Sequence, residues 1–277
     1  MDALTPLASP VKSRATGRGP RTARNRHEKW MLGTISMTLF LAFWETAVAL
    51  QWVNPLFTSS PTRIVRAAFE MFADGSIIEH IEVSAHEFVV GYGLAVIIGV
   101  PLGILMGWYS RIDAVLEPFV SALYATPRIA LLPLILIWLG IGIASKIAIV
   151  FLGAVFPIVV NTVTGVRTVE ADFIKVARSF GCNDRQLFWT VVLPASVPML
   201  LAGLRLGLGH ALVGIVVGEM YGATKGLGFL IATAGARFQT DQVMVGIILI
   251  AGAGVVLTEL LRAIERRFER WRPNVRG

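Results

Sequence analysis

Charge is scarce in this sequence, and the scarcity is uneven. Asp, Glu, Lys and Arg make up only 16% of its 277 residues, against about 25% in an ordinary soluble domain. Five stretches carry no charge at all: 88–110, 129–145, 147–166, 186–204 and 242–258. Each approaches the roughly 20 residues needed to cross a hydrocarbon core. A sixth, 30–51, is interrupted only by Glu45. The runs are continuous where a barrel strand would alternate, which excludes a closed β-barrel. They predict an all-α integral membrane protein with six transmembrane helices.

Other absences narrow the chemistry. A single cysteine, Cys182, excludes an internal disulfide and has no metal-ligand spacing around it, so it reads as an inert thiol. His80 and His86 lie six apart and do not share one helical face, which argues against a metal site. His210 reads as a packed, hydrogen-bonded histidine. There is no G-x-x-x-x-G-K-[ST] loop, so the chain does not hydrolyse ATP by the P-loop route. No HExxH, Ser/His or Asp/Asp set falls at membrane depth, which speaks against an intramembrane enzyme. A secondary transporter or channel stays as the alternative, although its expected acidic relays and internal repeat are missing. No cofactor or metal is expected.

The net charge of +7 is a statement about topology. Lys12, Arg14, Arg18, Arg21, Arg24, Arg26 and Lys29 precede the first span; Arg262, Arg266, Arg267, Arg270, Arg272 and Arg276 follow the last. Six spans put both ends on one side, joined there by Arg111, Arg167, Lys175, Arg178 and Arg185. The positive-inside rule places that side, with both termini, in the cytoplasm. Basic charge distributed this way does not point to nucleic acid.

The chain then divides as follows. Residues 1–29 form a basic tail, rich in Pro, Ser, Thr and Arg, expected to be disordered. Residues 30–52 are a first transmembrane helix, too long and without the small-residue site of a cleavable signal. Residues 53–79 are a periplasmic-side amphipathic segment, with Ile64, Ala67, Ala68 and Met71 at helical spacing after Ser60-Pro61. A transmembrane domain covers 80–262, with spans near 88–110, 116–141, 146–166, 194–219 and 242–262. A basic tail, 263–277, closes the chain. Pro127 and Pro133 flank the middle of the third span, which is therefore expected to kink. Ala95, Gly99, Gly103 and Gly107, and again Gly203, Gly207 and Ala211, form small-residue stripes that let helices approach closely. Intrachain packing is the preferred reading of both stripes, a subunit interface the other. Residues 222–237 suit a short segment on the outer face better than a seventh span.

The most informative stretch is the charged insert at 169–193, held between two uncharged spans. Val169, Phe173, Val176, Ala177 and Phe180 fall on one face of a three-turn helix, with Asp172, Lys175, Arg178 and Ser179 facing away. Gly181 follows where a left-handed cap favours glycine. Asn183 and Gln186 have the spacing of a capping box for a second short helix, which Leu193-Pro194 is expected to close.

This insert resembles the EAA loop of bacterial ATP-binding cassette importer permeases, whose pattern is E-A-A, three residues, G, nine residues, I-x-L-P. The chain reads Lys175-Val176-Ala177, three residues, Gly181, nine residues, Val191-Val192-Leu193-Pro194. Ala177, Gly181, Leu193 and Pro194 match; Lys175 stands at the usual Glu position. Gly99-Val100-Pro101-Leu102-Gly103, Leu132-Pro133-Leu134 with Trp138-Leu139-Gly140-Ile141-Gly142, and Ala202-Gly203-Leu204-Arg205 with Gly218-Glu219-Met220 are similar to the nitrate/sulfonate/taurine subfamily. His86-Glu87 departs from it, at a place where many members have a basic residue. The resemblance implies a permease chain paired as a homodimer in the bacterial inner membrane. It also implies separate ATPase subunits docked on Lys175, Ala177, Gly181, Leu193 and Pro194, and a periplasmic or lipid-anchored solute-binding protein. The apolar side of the first insert helix would anchor to the permease body and the Gly181 turn would enter an ATPase groove. The solute class stays open among nitrate, sulfonate, taurine, bicarbonate and thiamine-precursor-like molecules.

Polar residues within spans mark the candidate pathway. Arg128, beside the Pro127 break, is the better candidate to meet an anion; the plainer alternative is that it and Arg205 snorkel to headgroups. Glu219 is the second pathway candidate, and could equally pair with Lys225 or serve as a structural cap.

Overall fold

A computed structural model describes residues 24–54 and 57–268 of the chain, and every regular element among them is helical. Among the described residues, those up to Trp52 form one compact unit and those from Val53 a second. The first unit contains α1, Arg24–Ala49. Residues 24–29 are thus helical where a disordered tail was expected. Arg, Glu and Lys are good helix formers, and they extend a helix already nucleated by the apolar span. The tail residues before Arg24 and after Phe268 lie outside the described residues.

In the second unit, α6 (Ile143–Arg167) is the central element. It is apolar on all sides and the most buried of the long helices, as expected of a helix with no solvent face. It packs against α3 (Ser76–Trp108) and α9 (Leu193–Gly222). The small-residue stripes explain how closely. A Cβ on Gly103 of α3 would lie 2.6 Å from Thr162 Cβ and 2.9 Å from the Val159 carbonyl oxygen. One on Gly207 of α9 would lie 2.9 Å from Ile158 and 3.1 Å from the Ala154 carbonyl. Both stripes are used within the chain, against α6, where van der Waals fit rather than water exclusion drives helix association.

Two long elements differ from expectation, and between them the third span is bent as expected. The short helix expected before span two merges with it, giving the 33-residue α3, about 50 Å long. The third span is two helices, α4 (Ser110–Ala125) and α5 (Leu132–Leu139), joined by a 3₁₀ turn over Arg128–Leu131 and bent by 92°. Pro127 causes the break: it lacks an N–H and pushes Thr126 into the extended region, at ψ 130°. The second insert helix is not closed at Leu193-Pro194. Instead α8 (Asp184–Leu187), a π-turn over Phe188–Val192 and α9 run on as one 39-residue helix. The π-turn, with Leu193 N–H bonded five residues back to Phe188, absorbs the proline that an unbroken α-turn would have rejected.

Five helices among the described residues are long and apolar enough to cross a membrane, and six if the bent pair is one span. The 222–237 segment contains α10, Leu227–Ala236, too short to cross. It packs on α9 and on α11, Thr240–Phe268. At the same end α2 (Pro61–Ala73) buries Ile64 and Met71. It is fastened to α11 by Arg63, 3.0 Å from Asp241 Oδ2, and by the Ser59 hydroxyl, which donates to Asp241 Oδ1 at 2.6 Å.

Candidate functional site

The insert is built from α7 (Ala171–Ser179), a turn at Gly181 and α8. Gly181 has φ +78°, the left-handed conformation that ends a helix cheaply only with glycine. Asn183 and Gln186 form the reciprocal capping box: Gln186 N–H donates to Asn183 Oδ1 at 2.8 Å and Asn183 N–H to Gln186 Oε1 at 3.0 Å. Arg178 spans the turn to Asp184 at 2.8 Å. Beneath lies a small core of Val166, Ala177, Leu187 and Val192, joined by Ile104, Trp108 and Phe188. Trp108 and Phe188 meet edge to face at 5.2 Å between centroids.

The face of α7 that anchors it is not the one expected. Ala177 is buried and Ile174 half-buried, while Phe173, Val176 and Phe180 stand 48%, 55% and 85% exposed. The reason is steric. The insert is held through small Ala177 and through Leu187 and Val192 of the following helix, so α7 turns its larger apolar residues outward. Of the other predicted insert residues, Lys175 is exposed and pairs with Asp172 at 3.1 Å. Leu193 and Pro194 lie inside the continuous helix just after the π-turn. A Cβ at Gly181 would meet nothing within 4 Å, so the turn presents open backbone.

Arg128 lies at the start of the 3₁₀ turn in the broken span. Its Nη1 donates to the Gly153 carbonyl at 3.2 Å, its guanidinium lies 5.4 Å from the Tyr124 ring centre, and its buried Nε has no partner. Gly153 is ten residues into α6, about 15 Å from the Ile143 end. Arg128 is thus held against the middle of α6 and not at either of its ends. Arg205 instead pairs with Glu265 of α11.

Glu219 and Lys225 do not pair. After α9 the chain turns back at Gly226, φ +119°, and lays the start of α10 over the Glu219 carboxylate. Glu219 accepts from the Ser84 hydroxyl at 2.6 Å and from Gly228 N–H at 2.6 Å. Lys225, turned outward by the same loop, pairs with Glu79.

Residues 99–270 match the family described as binding-protein-dependent transport system inner membrane component. The chain is 33% identical over 275 residues to the aliphatic sulfonates transport permease protein SsuC of Bacillus subtilis (strain 168), covering 96% of this chain and 100% of the relative. It belongs to that permease family. To the taurine transport system permease protein TauC of Escherichia coli (strain K12) it is 34% identical over 249 residues, covering 88% and 90% of the two chains. The fold is shared with an inward-facing conformation of the MetNI methionine ABC transporter, at TM-score 0.56 and 17% identity, over 70% of this chain and 94% of that one.

One feature of the permease escaped sequence reading. Lys146, the first residue of the expected 146–166 span, lies in the first turn of α6 and reaches Glu87 of α3 at 3.4 Å, with side chains 7% and 1% exposed. Each residue sits just outside an uncharged run, where a charge ordinarily marks the membrane boundary. Only the packing of α3 on α6 makes them neighbours.

Proposed function

We propose that this permease chain works as a homodimer in the bacterial inner membrane, with both termini cytoplasmic, and moves a small anion, a sulfonate first among them. Separate ATP-binding cassette subunits dock on the insert. A periplasmic or lipid-anchored binding protein delivers the solute, and closure of the ATPases drives alternating access. Support for the docking surface comes from one observation above others: a bare apolar strip, Phe173, Val176 and Phe180, on a rigidly capped insert. Exposed apolar residues gathered on one face mark a partner surface, and family membership supplies the partner's class.

Arg128 is the proposed anion contact in the pathway. It stands on a broken span against the middle of α6, and ionisable groups and unwound backbone within spans mark functional sites as a rule. Its single hydrogen bond to a carbonyl leaves other guanidinium donors for a solute oxygen. The sulfonate and taurine names of the relatives support that ligand class.

The test is affinity purification of the chain after mild solubilisation from its host, with co-purifying ATPase assayed. Phe180→Asp should leave the chain folded, because the residue is 85% exposed, and should lose the ATPase. Retention of the ATPase by that variant would remove the strip from the docking surface. Arg128→Gln should keep the ATPase and lose uptake of a labelled sulfonate.

A further inference from the structure

We propose that Glu219, Ser84 and His80 are positioning residues that lock α10 to α9 and α3. In this reading α10 moves as a rigid extension of the helix that carries the insert. The proposal rests on the alternating-access reading above.

The start of a helix leaves N–H groups without intrahelical partners. Here three consecutive ones are taken by side chains from the neighbouring helices. Gly226 N–H donates to His80 Nδ1 at 3.0 Å, Leu227 N–H to Ser84 Oγ at 2.8 Å and Gly228 N–H to Glu219 Oε2 at 2.6 Å. Ser84 in turn donates its hydroxyl to Glu219 Oε1 at 2.6 Å. Glu219 is 1% exposed and Ser84 7%. Prising α10 away would leave a carboxylate and several N–H groups buried without partners, which is far costlier than keeping them paired.

The backbone is moulded to the carboxylate. A Cβ on Gly226 would lie 2.4 Å from Glu219 Cδ, and one on Gly228 would lie 2.5 Å from the Val216 carbonyl oxygen and 2.8 Å from Glu219 Cβ. A third helix is drawn in from the side. The Lys146 stem passes beside Gly218, 3.8 Å from where a Cβ would be, on its way to Glu87. α3, α6, α9 and α10 therefore meet around one buried joint.

The joint sits three residues from the end of a continuous helix that begins in the insert. From Asp184 to Gly222 that helix has 39 residues, about 58 Å of rod. Its irregularities, the π-turn and Pro194 and Pro198, all lie near the insert; beyond them it reaches Glu219 as unbroken α-helix. Motion of α9 beyond Pro198 thus arrives at α10 without an intervening break in the helix. The place in the bundle suited to bending is elsewhere, at the 92° break between α4 and α5.

The experiment uses the whole transporter, with its ATPase and binding protein, reconstituted in vesicles. Spin labels are placed at Val213 of α9 and Ala236 of α10, both exposed, in a Cys182→Ala background. The distance between them is compared with and without trapped nucleotide. The lock predicts one unchanged distance in the otherwise wild-type chain and a broadened distribution in Glu219→Ala. In that variant ATP hydrolysis persists while solute moved per ATP falls roughly tenfold. Glu219→Gln, which keeps an acceptor for the Gly228 N–H, recovers most of the ratio. A shift of about 5 Å, one helical turn, between nucleotide states would make α10 a separate gate and overturn the proposal. So would a Glu219→Ala chain with an unaltered distribution or ratio. If the unmutated transporter moved solute without ATP, the importer reading would fail, while the label distances would still judge the lock.

Discussion

The two ends of the 39-residue helix are each finished by a short helix, and the two junctions are made differently. At the insert, Gly181 turns in open space, the neighbouring ion pairs Lys175–Asp172 and Arg178–Asp184 lie in solvent, and Phe180 stands bare. At the other end, Gly226 turns against a carboxylate, the polar contacts are buried, and α10 hides Leu227, Leu230 and Ala234. One junction leaves its apolar and charged groups at the surface. The other spends its polar groups on the chain itself. Exposure and burial are thereby separated along one rod.

The strongest way to break this contrast is to attack the buried charges beside the distal joint. Removing one partner of a buried ion pair strands the other, at a cost of about 3–5 kcal/mol. Lys146→Met should therefore cost about that much by leaving Glu87, 1% exposed, without its cation. The loss should appear as a lowered midpoint of thermal unfolding in detergent. The double variant Glu87→Gln/Lys146→Met should recover most of it, because matched apolar or neutral replacements of a buried pair are close to neutral. A single variant as stable as the parent would mean that water reaches the pair.

A sharper comparison uses the same substitution at both turns. Gly181→Ala should cost about 1 kcal/mol, the strain of a left-handed alanine, since nothing lies within 4 Å of its Cβ. Gly226→Ala should cost more, about 2–4 kcal/mol from strain and overpacking together, because its Cβ would lie 2.4 Å from Glu219 Cδ. Equal losses in thermal unfolding would show that the distal joint gives way easily and is not rigid.

These differences trace how much of the molecule could be read in the sequence. The spans, the capping box at Asn183 and Gln186, the break at Pro127 and the left-handed Gly181 are local matters of hydropathy, spacing and backbone sterics, and the residues concerned announce them. Which side of α7 faces inward is not local. It depends on Leu187 and Val192 arriving beneath Ala177 from the next helix, and the amphipathic pattern alone pointed the wrong way. Glu219 was legible as an ionisable group near a helix end. Its true neighbours are 135 positions away at Ser84 and nine at Gly228, and Lys225 is nearer in sequence but turned away by the Gly226 conformation. Lys146 and Glu87 escaped for the same reason.

The smallest effect on the chain itself belongs to Lys175, which stands where the family pattern has Glu. Its side chain is 75% exposed and pairs with Asp172 one turn earlier. Surface pairs of this sort contribute about 0–1 kcal/mol, so Lys175→Glu should shift unfolding by no more than about 0.5 kcal/mol. Its effect on docking is a separate matter, because charge at the rim of an interface acts on association rate and salt dependence more than on fold. If the ATPase surface facing this insert has adapted to a cation, Lys175→Glu weakens ATPase association at low salt and the deficit shrinks as salt rises. If Lys175 points past the partner, association is unchanged at every ionic strength, and the apolar strip with the Gly181 turn carries the docking alone. A salt titration of ATPase binding to the two purified chains separates these outcomes. It also decides whether charge at Lys175 has any part in the proposed docking.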